Sequence, residues 1–271
     1  PLHQLKNIKD IKLIEVTPDK DYVISPVAVA NAITADTKLI CVNHISNVTG
    51  NMTDIFQIGN TAKLRGIPLF VDGAQSLGHV NVDMTQNNIA FLAGAGHKGL
   101  HGSQGTGFLI FDTQYNLLPI RYGGTGTHSE SLSQPCVPPE AYESGTVNSA
   151  GIIGLGASAE WTYQNLAKIS LNTRYLTGEL LYGLKQIKNV RLYSSQTTGV
   201  VSFNFKDYSS TDIGDYLNEH DIAVRCGLHC APLIHTQLGT LERGTVRVSV
   251  GYNNTIKDIH ALLRHIDNLN R

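Results

Sequence analysis

Little net charge, few cysteines and no long apolar run mark this sequence. The formal net charge is −1 and the isoelectric point about 7.0. That balance gives no electrostatic case for nucleic acid or for an acidic membrane surface, so neither is expected as a partner. No apolar stretch approaches the roughly 18–20 residues needed to cross a bilayer, and no signal peptide is visible. A soluble protein is therefore expected. The four cysteines, Cys41, Cys136, Cys226 and Cys230, are too few and too scattered for a disulfide framework. They read as the free thiols of a cytoplasmic protein. Pro1 stands where an initiator methionine would, which reads as a processed, cleaved or incomplete chain.

What is present is ample material for a core: 271 residues, 41% hydrophobic and 16% charged. That suits one large α/β domain or two unequal ones. Short apolar runs alternate with helical patterns through the first 150 residues. Ile11–Val16, Lys38–Asn43, Leu69–Asp72, Ile89–Leu92 and Gly107–Phe111 read as strands. Pro26–Ile33, with Ser25 as N-cap and Pro26 at the first helical position, and Asp54–Arg65 read as helices. The alternation predicts a mostly parallel sheet covered by helices, with polar groups collecting at the carboxyl ends of the strands. Asp112–Ala150 is rich in Gly, Pro, Ser and Thr and reads as loop. Beyond it, helical stretches are expected at 151–161 and 171–187 and a helix near Thr211–Glu219. Strands are expected at Val190–Tyr193, Val200–Phe205, Ile222–Arg225 and Thr245–Val250, and a terminal helix at Ile256–Leu269. The expected division is a large domain over 1–150 and a linker helix with a smaller α/β domain over 151–271.

Three strand ends carry suggestive groups: Asn43-His44-Ile45-Ser46-Asn47, Asp72-Gly73-Ala74-Gln75 and Gly96-His97-Lys98-Gly99. A cofactor with a pyridinium ring would use these types. A carboxylate keeps the ring nitrogen protonated, a lysine forms an imine, and small residues let backbone approach a phosphate. Each has a plainer reading. A strand-end Asp commonly caps a turn, a lone lysine is commonly a solvated charge, and glycines commonly mark tight turns. Spacing alone supports an anion or cofactor site and does not name the cofactor. His44 reads as a supporting or structural residue.

The ordered set is more specific. Asn47, Asp72-Gly-Ala-Gln75 and Gly96-His97-Lys98 are followed by Gly105-Thr-Gly107, Arg121-Tyr-Gly-Gly-Thr125 and Glu143-Ser-Gly-Thr146-Val-Asn148. Then come Gly151-Ile-Ile-Gly-Leu-Gly156, Arg225-Cys-Gly-Leu-His229-Cys230-Ala-Pro232 and Gly244-Thr-Val-Arg247-Val-Ser249. This sequence of motifs resembles the class V aminotransferase superfamily, in particular its cysteine desulfurase and selenocysteine lyase members. The resemblance spans nearly the whole chain. It implies a pyridoxal-phosphate-dependent transferase of fold type I, with roughly the family's first quarter lying ahead of residue 1. That quarter ordinarily supplies an N-terminal arm, a glycine-threonine turn for the phosphate and a histidine that stacks on the ring. Ala95 stands where the family's lysine motif often carries Ser or Thr.

The resemblance also implies roles. Lys98 would be the Schiff-base lysine and an acid–base, in a partly desolvated setting. Asp72 would pair with the pyridine nitrogen, Gln75 and Asn47 would bond the ring oxygen or substrate atoms, and His97 would reach the phosphate. Thr146 would contact the phosphate of the partner subunit in a homodimer. Arg247, with Arg225 and Asn47 near it, would take the substrate carboxylate through a bidentate fork. Cys230 falls where the family's persulfide-forming thiol falls, which moves the reading from aminotransferase to cysteine desulfurase: L-cysteine to L-alanine, with sulfur left on Cys230 and passed to an acceptor protein. Selenocysteine lysis, transamination and an inactive fragment are the alternatives. By its residues alone, Cys226-Gly-Leu-His229-Cys230 also admits a metal site or a buried apolar thiol, although the spacing is not that of a closed zinc site and no metal is expected. Cys226 is expected to be structural, close enough to serve as a resolving thiol.

Overall fold

In the computed structural model, residues 2–127, 130–206 and 208–270 are described. Two four-stranded sheets organise the chain. Helix α1 (Leu2–Ile8) and α2 (Pro26–Ala32) precede β1 (Ile40–Asn43), α3 (Ile55–Leu64), β2 (Leu69–Asp72), β3 (Phe91–Ala95) and β4 (Gly107–Phe111). The first sheet runs β1-β2-β3-β4, with the first two pairings parallel and β4 antiparallel to β3. Its core is closed by Val29 of α2 and Ile55, Ile58 and Ala62 of α3 against Ile40, Leu69, Val71 and Leu92. The opposite face bears Phe70, Phe91 and Phe111 in one register row, with centroids 6.3 and 6.4 Å apart. Asp54 caps α3 by accepting from the Gln57 amide at 3.0 Å, which supplies a partner to one of the helix's orphan donors.

The second half begins with α4 (Ser149–Gln186), 38 residues long and capped by Asn148, which accepts from the Gly151 amide. It continues through β5 (Val190–Leu192), β6 (Val200–Phe205), α5 (Ser210–Asn218), β7 (Arg225–Gly227), α6 (Pro232–Leu238), β8 (Thr245–Ser249) and α7 (Ile256–Asn268). This sheet runs β5-β6-β8-β7 and is antiparallel throughout. Leu176, Leu180 and Leu184 of α4, Ile213 and Leu217 of α5, and Ile259, Leu262 and Ile266 of α7 cover one of its faces. The inward residues are Val201, Phe203, Phe205, Val246 and Val248. By the period of two, Ser202, Asn204, Arg225 and Arg247 belong to the other face. All six residues of β6 are buried, so that second face is covered as well.

Several expectations shift. Ile11–Val16 forms no strand: among the described residues nothing pairs with it, and Ile11 and Ile14 are exposed. Without a ladder partner an apolar alternation has no backbone bonds to hold it extended. The two helical stretches expected after residue 150 are one continuous helix. β7 starts at Arg225 rather than Ile222, because the Ile222 amide instead closes the end of α5 on the Leu217 carbonyl. Between residues 112 and 148 the described residues form neither helix nor strand, as expected for that composition, and 128 and 129 lie outside them. No helix is long and apolar enough to cross a membrane among the described residues.

Candidate functional site

Parallel pairing brings the carboxyl ends of β1, β2 and β3 to one edge: Asn43 stands opposite Asp72, and Asp72 opposite Ala93. Asp72 is exposed there, with Oδ1 accepting from the Ala74 amide at 2.8 Å. Gln75 is half-buried in the loop that follows, and His97 and Lys98 are exposed in the turn after β3. The Lys98 carbonyl accepts from the His101 amide at 2.9 Å, and the Gly102 amide donates to the Gly96 carbonyl at 2.8 Å.

Glycines dictate how these two loops meet. Gly78 sits at φ +87°, and a Cβ there would fall 2.0 Å from the Gly99 carbonyl oxygen. A Cβ on Gly99 would lie 2.4 Å from the Leu77 carbonyl oxygen. The lysine turn therefore rests directly on the loop carrying Gln75, at a spacing only glycine allows. Behind it, His101 packs edge-on to Trp161 of α4 with centroids 5.6 Å apart. Its Nδ1 lies 3.3 Å from the Thr162 hydroxyl.

A second cluster forms where the loop after β1 meets the second sheet. The Asn47 side-chain amide donates to the His229 carbonyl at 2.7 Å, and the Asn47 carbonyl accepts from Arg247 Nη1 at 3.0 Å. Arg225 and Arg247 are cross-strand partners of β7 and β8. Arg225 Nη2 lies 3.8 Å from the exposed Cys230 sulfur. The turn between β7 and α6 holds two successive non-glycine residues in the left-handed region, His229 at φ 51° and Cys230 at φ 60°. Such residues cost on the order of 1–2 kcal/mol each and persist only where surroundings over-determine them. Here the Ala231 amide closes the turn on the Leu228 carbonyl, Asn47 grips the His229 carbonyl, and His229 Nε2 donates to the Thr245 carbonyl at 3.1 Å.

Burial pushes His229 down to about 4, with the Arg247 charge acting in the same direction. The ring is thus neutral near pH 7, and its buried Nδ1 has no bonding partner among the described residues. Burial, and then the Arg225 charge, lower Arg247 from its ordinary value. Its Nε–H is likewise buried without a partner among the described residues. Any anion entering here meets two guanidinium groups beside a thiol.

The structure thus brings together Asn47, Arg225, Arg247 and Cys230 through bonds, and Asp72, Gln75, His97 and Lys98 through adjoining loops. Lys98 is exposed rather than partly desolvated. Thr146 is exposed just before α4, and among the described residues no hydrogen bond ties it to the others. His44 is 5% exposed, with burial holding it down to about 4. Cys226 points away from Cys230: its sulfur packs against Gly214 of α5, where a Cβ would come within 2.4 Å. Burial and then Asp215 raise its thiol. Cys226 is thus half-buried against α5, whereas Cys230 is exposed in the turn after β7. Among the described residues no three His, Cys, Asp or Glu side chains cluster as a metal site would require.

Sequence reasoning missed the polar seam that seats the Asn47 loop. Ser202 donates to the Val48 carbonyl at 2.5 Å, Thr198 donates to the Gly50 carbonyl, and Asn51 Oδ1 accepts from the Ser195 hydroxyl at 3.1 Å. The signal was available: Ser202 and Asn204 interrupt the apolar run VVSFNF at a spacing of two.

The donor set suits pyridoxal phosphate: a carboxylate with an oxygen to spare for a pyridinium N–H, a primary amine, an imidazole and an amide. The comparisons point the same way. The class-V aminotransferase family model matches residues 1–262. A protein of Methanothermobacter thermautotrophicus named as a probable cysteine desulfurase is 35% identical over 263 residues, covering 93% of this chain and 65% of that protein. A cysteine desulfurase of Yersinia pestis is 33% identical over 253 residues, covering 90% of this chain and 61% of its own. The chain therefore spans less than two thirds of the length of these curated relatives. The apo structure of cysteine desulfurase from Thermococcus onnurineus superposes with a TM-score of 0.92 at 31% identity, covering 99% of this chain and 68% of that one. The Escherichia coli cysteine desulfurase CsdA, in an S-sulfonic acid form, gives 0.89 at 28% identity, covering 98% and 67%. The fold is accordingly the fold type I of the pyridoxal-phosphate enzymes.

Proposed function

The chain belongs to the class-V aminotransferase family, and on that premise we propose that it carries the reaction machinery of a pyridoxal-phosphate-dependent cysteine desulfurase. The observation that carries this reading is the Cys230 sulfur, exposed on a strained turn 3.8 Å from Arg225 and beside the Arg225–Arg247 pair. An aminotransferase has no use for a thiol at that place.

When bound, pyridoxal phosphate supplies an electron sink conjugated to the substrate's α-carbon. Lys98 would hold it covalently, Asp72 would accept from its ring N–H, Gln75 and Asn47 would bond its ring oxygen or the substrate, and His97 would reach its phosphate. Arg247 would take the α-carboxylate of L-cysteine, its plane fixed by the bond to the Asn47 carbonyl. Arg225 would sit between that carboxylate and the thiol. The Cys230 thiolate would attack the substrate sulfur. The S–S bond forms as the Cβ–S bond breaks, the electron pair stays with carbon, and a proton delivered by Lys98 to Cβ completes L-alanine. Sulfur then leaves as a persulfide to an acceptor protein. The remainder of this reading is a cytoplasmic homodimer in which Thr146 contacts the phosphate of the partner subunit. Residues 1–150 serve there as the cofactor domain and 151–271 as the linker helix and cysteine domain.

The test is direct. The protein with added cofactor is expected to absorb in the visible range, to retain a borohydride-fixed adduct mapped by mass to Lys98, and to release alanine and sulfide from L-cysteine. Undiminished turnover in Cys230→Ala would overturn the persulfide role.

A further inference from the structure

Three rings run from the lysine turn to the carboxyl end of β8. His101 follows Lys98 in that turn at φ 59°, and its ring meets Trp161 of α4 with planes 86° apart and centroids 5.6 Å apart. The same indole meets Tyr252, in the loop after β8, at 82° and 5.2 Å. Both flanking segments are fixed to α4 as well. Asn172 donates from Nδ2 to the Tyr252 and Asn254 carbonyls, each at 3.3 Å, and the Lys168 ammonium lies 5.4 Å from the centre of the Tyr252 ring. On the lysine turn, the Thr162 hydroxyl lies 3.3 Å from His101 Nδ1 and donates to the Leu100 carbonyl at 3.5 Å. Leu155 packs against Gly96 and Gly102, where a Cβ would come within 3.1 and 2.8 Å of it.

A ring with one aromatic neighbour can roll about that contact. Two near-perpendicular contacts on one indole fix its tilt and its place together. Trp and Tyr have few rotatable bonds, so such contacts order little side-chain freedom. The result is a stiff link, through packed side chains, between two segments far apart in sequence. One is the turn Lys98-Gly99-Leu100-His101, and the other is the loop that ends β8, the strand of Arg247. These two residues carry the amine and the guanidinium that the proposed reaction needs at a set separation. A misplacement of about 1 Å in such a pair costs on the order of a hundredfold in rate.

We propose that Trp161 is a positioning residue, joining the lysine turn to the end of β8 through His101 and Tyr252 and so holding Lys98 in register with Arg247. Its ring takes no part in the chemistry. What the register serves rests on the desulfurase reading, whereas the link itself rests on the ring contacts.

The link is read first without cofactor, by hydrogen exchange in the whole chain. The His101 and Gly102 amides, which donate to the Lys98 and Gly96 carbonyls, report the lysine turn. Tyr252→Leu is expected to speed their exchange by about threefold or more, although Tyr252 belongs to another segment. In a Trp161→Leu background the same change is expected to add nothing, because the link is already cut. Unchanged exchange in Tyr252→Leu, or additive effects in the double variant, would overturn the link whatever the activity. With cofactor and L-cysteine, Trp161→Leu is expected to lower kcat by about tenfold or more while KM stays within about threefold. Trp161→Phe, which keeps a ring, is expected to restore most of that loss. A packing role alone would lower stability and leave the kcat of the folded protein intact, and that result would strike the positioning role. If the parent protein releases no alanine while the exchange results hold, the desulfurase reading falls and the link stands.

Discussion

Asn47 donates its side-chain amide to the carbonyl of His229 at 2.7 Å, across 182 positions of sequence. Through that bond a loop at the end of the first sheet restrains the strained turn that carries Cys230, and through its own carbonyl the same loop holds Arg247.

Asn47→Ala is therefore expected to loosen the turn, besides removing an amide proposed to bond the cofactor's ring oxygen or the substrate. Leaving the His229 carbonyl unmatched should cost on the order of 1 kcal/mol or more, a fall of about 2–4 °C in the unfolding midpoint per kcal/mol. Sulfide release should fall more steeply than substrate affinity. Thermal unfolding and steady-state kinetics check both, and kinetics identical to the parent would mean that the grip on His229 is incidental.

Thiol labelling should separate the two cysteines of this segment. Cys230 is exposed, whereas Cys226 packs against α5 and its thiol is raised by burial. Iodoacetamide near neutral pH is expected to modify Cys230 well before Cys226, because alkylation follows thiolate fraction and access. Peptide mapping over time reads the order, and equal rates would contradict the packing.

Gly214→Ala inserts a methyl 2.4 Å from the Cys226 sulfur. Overpacking of this kind costs roughly 1–3 kcal/mol, despite the gain of up to about 1 kcal/mol that alanine ordinarily brings to a helix interior. Combined with Cys226→Ala, the clash disappears and the helix gain remains. The double variant is expected to be more stable than Gly214→Ala alone, a non-additivity that denaturant unfolding of the three variants would reveal.

Stability should fall in mild acid. His44 and His229 are both buried and held down to about 4, below the ordinary histidine value of 6.5. The unfolded chain then binds more protons than the folded one between about pH 6.5 and 4. The stability these neutral rings contribute is complete above that window and is lost as pH falls through it. Denaturant midpoints at about pH 7 and about pH 4.5 measure the loss. His44→Gln is expected to flatten part of the slope, and an unchanged slope would remove His44 from the account.

The strands of the first sheet were legible because a buried β2 reads as a short apolar run closed by Asp72, and its expected bounds match. Ile11–Val16 has the same outward pattern and no partner, and pairing depends on residues far away in sequence. The two helical stretches expected at 151–161 and 171–187 are joined by 162–170, where Thr162 and Ile169 are buried and the other residues are exposed or half-buried. Lys98, Asp72 and Cys230 stood out through motif order rather than physics. Their mutual support could not be read at all, since Asn47 with His229, and Ser202 with Val48, are contacts between distant segments.

The long helix α4 has a consequence for anyone dividing this chain. Its first turns back the lysine turn through Thr162 and Trp161, and its last turns bury Leu176, Leu180 and Leu184 beneath the second sheet. One rod is thus a wall of both halves. A cut at residue 150 would hand the rod to the cysteine half and strip the other of its backing. A cut inside it would leave two stubs, neither with a whole surface to pack on. Graft or split designs would have to keep the rod whole, duplicate its shared stretch, or accept that neither piece is an independent building block.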